Sequence, residues 1–193
     1  MADRSQEPET EQDTALVAEF QRGDERTFDT IFQRHKRGVY NLAYRTVGAE
    51  SAEDVMQEAF VQLYKSLGRF RPTGSFKAWV YRITLNVCRD SKRWRDRRPV
   101  VSCSDSLDSM PDPSDPIGAV EDRWMYQQVE SAIQALPEGE RVAIELHYLQ
   151  GLSYRELSEI LGCPNGTIKA RIHHAISNLR LKLLPLIEQE VKR

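Results

Sequence analysis

Residues 151–184 read GLSYRELSEILGCPNGTIKARIHHAISNLRLKLL. Two helical patterns meet there at a tight break. Ser153 is placed to cap the first, and Glu156 three residues on completes a capping box. Leu157, Ile160 and Leu161 share one face of that helix. Gly162 suits the left-handed residue that ends a helix, Cys163 and Pro164 make the turn, and Asn165 serves as the cap of the second helix. Ile168, Ile172, Ile176, Leu179 and Leu183 then mark the buried stripe of that longer helix. Lys169, Arg171, His173, His174, Asn178, Arg180 and Lys182 occupy its other faces. From Asn165 to Leu184 there are four Lys or Arg and no acid, in a chain of net charge −2. Such an arrangement fits a helix-turn-helix whose second helix enters a DNA major groove. A helical hairpin that merely packs, with a solvated basic face, satisfies the same caps, and the one-sided charge weighs against it.

Outward from this stretch, 193 residues with 40% hydrophobic and 29% charged content allow one large domain or two small ones. No run approaches the roughly 18 apolar residues of a membrane span, and the polar, acidic start does not resemble a signal peptide. Three widely spaced cysteines, Cys88, Cys103 and Cys163, form no metal motif and point to a reducing compartment. The histidines lack metal-ligand spacing, so no metal or cofactor is expected. Charge is segregated. Lys65 to Arg98 holds eleven Lys or Arg against two acids, whereas Met1 to Arg26 holds eight acids against three bases. So dense a basic block calls for a polyanionic partner.

The remaining periodicities are all helical, and the expected fold is all-α: two small helical domains joined by a flexible linker, the second ending in the helix-turn-helix. Residues 1–13 read as a disordered acidic N-terminus. Asp13 or Thr14 then caps a short helix through Leu16 and Phe20. Phe28, Phe32, His35, Val39 and Leu42 come next, with His35 read as a core histidine. Ala52, Val55, Met56, Ala59, Phe60, Leu63 and Leu67 form the most regular stripe in the chain. Opposite it, Asp54, Gln57 and Glu58 share one face. No nucleophile or metal ligand accompanies these carboxylates, so an acidic docking face fits better than a catalytic pair. GRFRPTGS, 68–75, is a loop by its Gly and Pro. Beyond it Phe76, Trp79, Val80, Ile83 and Val87 alternate with basic residues, a pattern suited to single-stranded nucleic acid. Residues 99–118 carry four Asp and four Pro with little periodicity and read as the linker between domains at 14–98 and 119–193. In the second domain Val129, Ile133 and Leu136 mark one helix, and Val142, Leu146 and Leu149 another.

Three stretches in this order, SAEDVMQEAFVQLYKSL, GRFRPTGSFKAWVYRITLNVCRDSKRW and LPEGERVAIELHYLQGLSYRELSEILGCPNGTIKARIHHAISNLR, resemble the bacterial RNA polymerase sigma factors of the extracytoplasmic-function (ECF) group. The resemblance covers nearly the whole chain beyond the first dozen residues. It implies a non-enzymatic specificity subunit of core RNA polymerase, working in the cytoplasm, or held at the membrane through an anti-sigma partner. Asp54, Gln57 and Glu58 map onto the surface that docks on the clamp helices of the largest polymerase subunit, and the C-terminal domain onto the part that meets the flap. The loop and helix that capture and melt the −10 element map onto Phe70, Arg71, Thr73, Ser75, Phe76, Arg82, Asn86 and Arg89. The −35 reader maps onto Thr167, Lys169, Arg171, His173 and His174. Promoter DNA and an anti-sigma factor are the further implied partners, with no small-molecule substrate. From the residues alone, a stand-alone helix-turn-helix regulator of operator duplex stays open as the alternative.

Overall fold

The computed structural model describes residues 7–71, 74–96 and 120–190. Among these every regular element is a helix. The N-terminal half holds α1 (Glu7–Gln21), α2 (Thr27–Val47), α3 (Ala49–Leu67) and α4 (Phe76–Asp96). Helices α2, α3 and α4 pack against one another, and α1 lies across all three. The spacing of their apolar residues explains the arrangement. Ile31, Val39 and Leu42 of α2 meet Val55, Ala59, Leu63 and Leu67 of α3 and Phe76, Val80 and Leu85 of α4 in one buried cluster. Each Val, Leu, Ile or Phe side chain among them contributes about 1.5–3 kcal/mol on burial. Phe32 and Phe60 cross edge-on at 4.6 Å, a favoured aromatic geometry. A single residue, Gly48 at φ 85°, separates α2 from α3. Its left-handed backbone lets the chain reverse there without a Cβ clash.

The N-terminal helix begins earlier than its caps imply. Residues 7–13 are helical, not disordered, and Asp13 is 3% exposed. The reason lies elsewhere in the sequence. Asp13 Oδ2 lies 3.0 Å from His35 Nε2, and Arg34 donates to Asp13 Oδ1 at 2.8 Å. Burial pushes the Asp13 carboxyl up, but the hydrogen bond and charge of His35, then those of Arg34, outweigh it and hold the group below its ordinary value. His35 is the core histidine expected, with Asp13 as its partner.

The second half holds α5 (Val120–Gln134), α6 (Glu138–Ile144), a π-helical turn (Glu145–Leu149), α7 (Tyr154–Leu161) and α8 (Asn165–Glu190). Helices α5, α6 and α7 all pack on α8. The capping box at α7 forms: Glu156 N–H donates to Ser153 Oγ at 3.3 Å, and Ser153 N–H donates to Glu156 Oε2 at 2.8 Å. Gly162 ends the helix at φ 65°, ψ 34° and donates its N–H to Ser158. Asn165 differs from its expected role. It is the first residue of α8 and not its cap, because the Pro164 carbonyl already accepts the Thr167 and Ile168 amides. The π turn overturns another expectation. One extra residue in the turn rotates the register, so Leu149 is 51% exposed while Glu145 is fully buried. The linker at 99–118 lies outside the described residues.

The two halves touch. One buried cluster runs from α1–α4 into Val142, Leu146, Leu152, Leu157 and Ile160 of the second half. Arg45 of α2, 6% exposed, grips Glu130 of α5 with two hydrogen bonds of 2.9 and 2.8 Å. Its Nε also lies against the Glu145 carboxylate. Burial pushes the Glu145 carboxyl up, and Arg45 and Gln150 only partly offset this.

Candidate polymerase and promoter interface

The acidic face stands where the periodicity puts it. Asp54, Gln57 and Glu58 are exposed on α3, opposite the stripe of Val55, Ala59 and Leu63. Glu58 is held by Gln62, whose side-chain amide donates at 3.0 Å. The structure adds Val61, 43% exposed, one turn beyond Gln57 and Glu58 on the same face. A lone apolar residue off the buried stripe is the only sequence sign of it.

The loop after α3 is anchored at its start by α1. The Gln21 side-chain amide donates to the carbonyls of Leu67 and Phe70, at 3.0 and 2.9 Å. These carbonyls belong to the end of α3 and the loop, where backbone acceptors lack helical partners. At the far end of the loop, the Ser75 hydroxyl accepts from Ala78 N–H at 3.3 Å and so caps α4. Between the anchors opens a cavity of about 390 Å³, lined by Arg69, Phe70, Arg71, Gly74, Ser75, Trp79 and Arg82 among others. Phe70 and Trp79 face each other there at 4.8 Å. The cavity thus combines flat aromatic walls with guanidinium groups. Arg69 was not among the expected strand-binding residues, and Trp79 stood only in the general aromatic-basic pattern of α4, not among the residues mapped to the −10 element. Trp79 sits on the apolar stripe of α4 and reads as core until the loop geometry is known.

Phe76 is a correction. It is fully buried, with His35 edge-on at 5.6 Å and Phe70 at 5.3 Å. Reaching a base would require unpacking the bundle, so it supports the cavity from behind. Arg82, Asn86 and Arg89 are exposed along one side of α4, and Arg89 donates to Asn86 at 3.2 Å. Thr73 lies outside the described residues.

On α8, Thr167, Lys169, His173 and His174 are exposed, and no acid stands in the first turn. Arg171 is placed differently. It is half-buried, donates to Cys163 Sγ at 3.8 Å and runs past Gly139, where a Cβ would meet its Nε at 3.4 Å. It buttresses the helix-turn-helix against α6 more than it projects from it. Asn178 is likewise engaged, with Glu140 at 3.0 Å. Cys88 is buried, and burial pushes its thiol up to about 12, which makes it an inert packed group. Among the described residues no cluster of His, Cys, Asp or Glu could hold a metal ion, and no helix is long and apolar enough to cross a membrane.

An acidic helix face, an arginine-aromatic cavity beside a helix and a helix-turn-helix with an exposed basic face are the candidate surfaces of this protein, and comparison with known families identifies its class. Residues 31–98 match Sigma-70 region 2, and residues 126–179 match Sigma-70 region 4. The RNA polymerase sigma-H factor of Pseudomonas aeruginosa is 35% identical over 188 residues, 93% of this chain and 97% of the relative. The ECF RNA polymerase sigma-E factor of Escherichia coli K12 is 34% identical over 185 residues, 92% of this chain and 97% of the relative. The sigma factor RpoE of Bartonella quintana, solved in complex with the anti-sigma factor NepR, shares the fold with a TM-score of 0.66. It is 24% identical and the match covers 81% of this chain and 96% of that one. The chain belongs to the ECF sigma factors of the sigma-70 family, DNA-binding transcription initiation factors.

Proposed function

We propose that the chain docks on core RNA polymerase through Asp54, Gln57 and Glu58 and opens promoters through the cavity between α3 and α4. In this reading the N-terminal domain spans 14–98 and the C-terminal one 119–193, with the helical residues 7–13 added to the former. The observation that carries the reading is the cavity itself. A flipped base needs a flat wall and a hydrogen-bonding rim. Phe70 and Trp79 supply the wall, and Arg69, Arg71 and Arg82 supply charge for the phosphates of the same strand. Stacking on such a wall is worth roughly 1–3 kcal/mol per base, comparable to the stacking lost at one duplex step. Capturing one or two bases therefore tips an opened duplex toward staying open.

On α8 the exposed Thr167, Lys169, His173 and His174 read the −35 element, while Arg171 holds the helix in place. The chain itself carries out no chemistry; the polymerase does. Control falls to an anti-sigma factor, as in the RpoE complex with NepR. Binding, not catalysis, in the same compartment as the polymerase is the whole role.

Run-off transcription with core polymerase, paired with permanganate reactivity of −10 thymines, tests this. Arg69→Ala with Arg71→Ala is expected to leave polymerase docking intact, to lower melting on duplex templates and to recover part of the loss on a template with a pre-opened bubble. Normal melting by this variant would remove the cavity from the mechanism. Duplex binding by the free chain as strong as that of the holoenzyme would favour the stand-alone regulator instead.

A further inference from the structure

The turn that carries the cavity wall is fastened from outside itself. Gln21 is the last residue of α1, and its side chain reaches partners 46 and 49 positions further along the chain. Its amide nitrogen donates to the Leu67 carbonyl at 3.0 Å and to the Phe70 carbonyl at 2.9 Å. Leu67 and Phe70 are the two ends of one β-turn, closed by the Phe70 N–H donating to the Leu67 carbonyl at 3.1 Å. Gln21 therefore spans that turn from end to end. Only the nitrogen of a carboxamide can face two carbonyl oxygens, and each of its two hydrogens serves one of them.

The rest of α1 sets where this side chain can reach. Asp13, Val17 and Phe20 are spaced along one face of the helix. Asp13 holds His35, Val17 is buried in the core, and Phe20 meets Tyr64 of α3 edge-on at 5.3 Å. Gln21 itself is exposed, as are Gly68 and Arg69 of the turn. Water could satisfy the same carbonyls, because a surface hydrogen bond replaces one made to solvent. Water cannot hold the two carbonyls at a fixed separation. The Phe70 carbonyl belongs to the planar peptide that carries the Arg71 N–H. The clamp thus fixes where Phe70 faces Trp79, 4.8 Å away, and the direction in which the chain leaves towards Arg71.

We propose that Gln21 is a positioning residue for strand capture. It acts through Phe70: by clamping the turn 67–70 it puts that ring on the cavity wall before DNA arrives. The proposal rests on the cavity being the strand-binding site. A wall ordered in advance spares the complex the cost of ordering it on binding. A wall held in one position also rejects a base of the wrong shape, whereas a mobile one yields to it. Gln21 is therefore a determinant of −10 selectivity that lies on α1, outside the loop and the helix that line the cavity.

The test uses the full chain with Gln21→Met, which keeps the length of the side chain and removes the donor without adding charge. Amide hydrogen exchange in the free chain reads the clamp. The Arg69 and Phe70 amides, which donate to Ser66 and Leu67, are expected to exchange about tenfold faster than in the parent, the size expected from two surface hydrogen bonds. Run-off transcription with core polymerase reads the consequence, on templates in which each −10 and −35 position is varied in turn. At the most selective −10 position the ratio between best and worst base should fall about fivefold, part of what one mismatched base is worth. The ratios at −35 should stay as in the parent. Unchanged exchange at Arg69 and Phe70 overturns the clamp. Faster exchange with unchanged −10 ratios overturns the positioning role, and so does a loss of yield equal on every template, which marks damage to the fold alone. Failure of the cavity reading itself shows elsewhere, as melting indifferent to Arg69→Ala with Arg71→Ala in holoenzyme, whatever Gln21→Met does to exchange.

Discussion

The two domains solve the same problem with different means. The N-terminal one uses long helices, 21 residues in α2 and 19 in α3, whose apolar stripes face one another. Its interior is filled by Ile31, Leu42, Leu63, Leu67 and Phe76, each at most 1% exposed. The C-terminal one sets short helices, seven residues in α6 and eight in α7, on the 26-residue α8, and holds them by a capping box, a left-handed glycine and a turn. A small unit with little interior has little burial to draw on. It fixes its shape through end-of-helix hydrogen bonds and leans on its neighbour for the rest. The difference matches what each must present. A cavity needs rigid walls, whereas an exposed helix face needs only to be set at the right angle on a support.

The comparison breaks most easily at the place where one domain leans on the other. Arg45→Ala leaves Glu145 buried beside no cation, and removing one partner of a buried pair costs about 3–5 kcal/mol. The second domain can escape that cost by lifting off and wetting Glu145. The expected result is faster amide hydrogen exchange over 142–152, with the amides of α3 protected as before. Equal deprotection of α3 would mean that the halves unfold as one unit.

Leu63→Ala tests the opposite end of the comparison. It deletes most of a side chain from the packed interior and should cost about 2–5 kcal/mol, read as a lower midpoint of urea unfolding. The exchange pattern should be the reverse of that for Arg45→Ala, with α3 most affected. Ser153→Ala removes the cap of α7, and a lost N-cap typically costs about 1 kcal/mol. Because α7 positions α8, weaker −35 binding should accompany that smaller loss; unchanged binding with a lowered melting point would separate the cap from DNA reading.

The smallest effect sharpens the comparison through acid. Asp13, in the first domain, has its folded-state carboxyl held below the ordinary value. Its stabilisation is full above the unfolded value and is lost as pH falls through the lower folded one. Glu145, at the seam, is pushed the other way by burial. Protonation favours its folded state, so acidification through its raised folded value relieves a penalty. Asp13→Asn should therefore flatten the acid limb of the stability profile, and Glu145→Gln should steepen it. Urea midpoints measured from neutral pH into the acid range give both slopes, and slopes of the same sign would contradict the assignment.

Much of this architecture is legible in the order of the residues. The stripes of α2, α3 and α4 come from spacing alone, because long helices on a shared core must repeat at 3.6 residues. The caps of α7 are local too: Ser153, Glu156 and Gly162 lie within ten residues. What escaped was what depends on distant partners. Asp13 reads as the end of an acidic tail until His35, 22 positions on, comes to meet it. Arg45 carries no mark in the sequence that sets it apart from other cations until Glu130 and Glu145 close around it. The π turn escaped for another reason: an unbroken apolar spacing at Val142, Leu146 and Leu149 carries no sign of one inserted residue. At the site, charge and exposure were legible for Asp54, Gln57, Glu58, Lys169 and His173. The separate fates of Phe70, on the cavity wall, and Phe76, inside the bundle, were not, since both are aromatics flanking one loop.

The Gln21 side chain bears on how this chain can be cut and recombined. The stretch that matches Sigma-70 region 2 starts at residue 31, which invites excision there when domains are exchanged between relatives. Such a fragment would leave behind both Gln21, which anchors the carbonyls of Leu67 and Phe70, and Asp13, the partner of His35. The transplanted loop would arrive without its fastening and the transplanted core with a solitary imidazole. The natural unit of exchange thus begins before the recognisable homology does, at α1, and a chimera that respects that border keeps the loop fastened and His35 partnered.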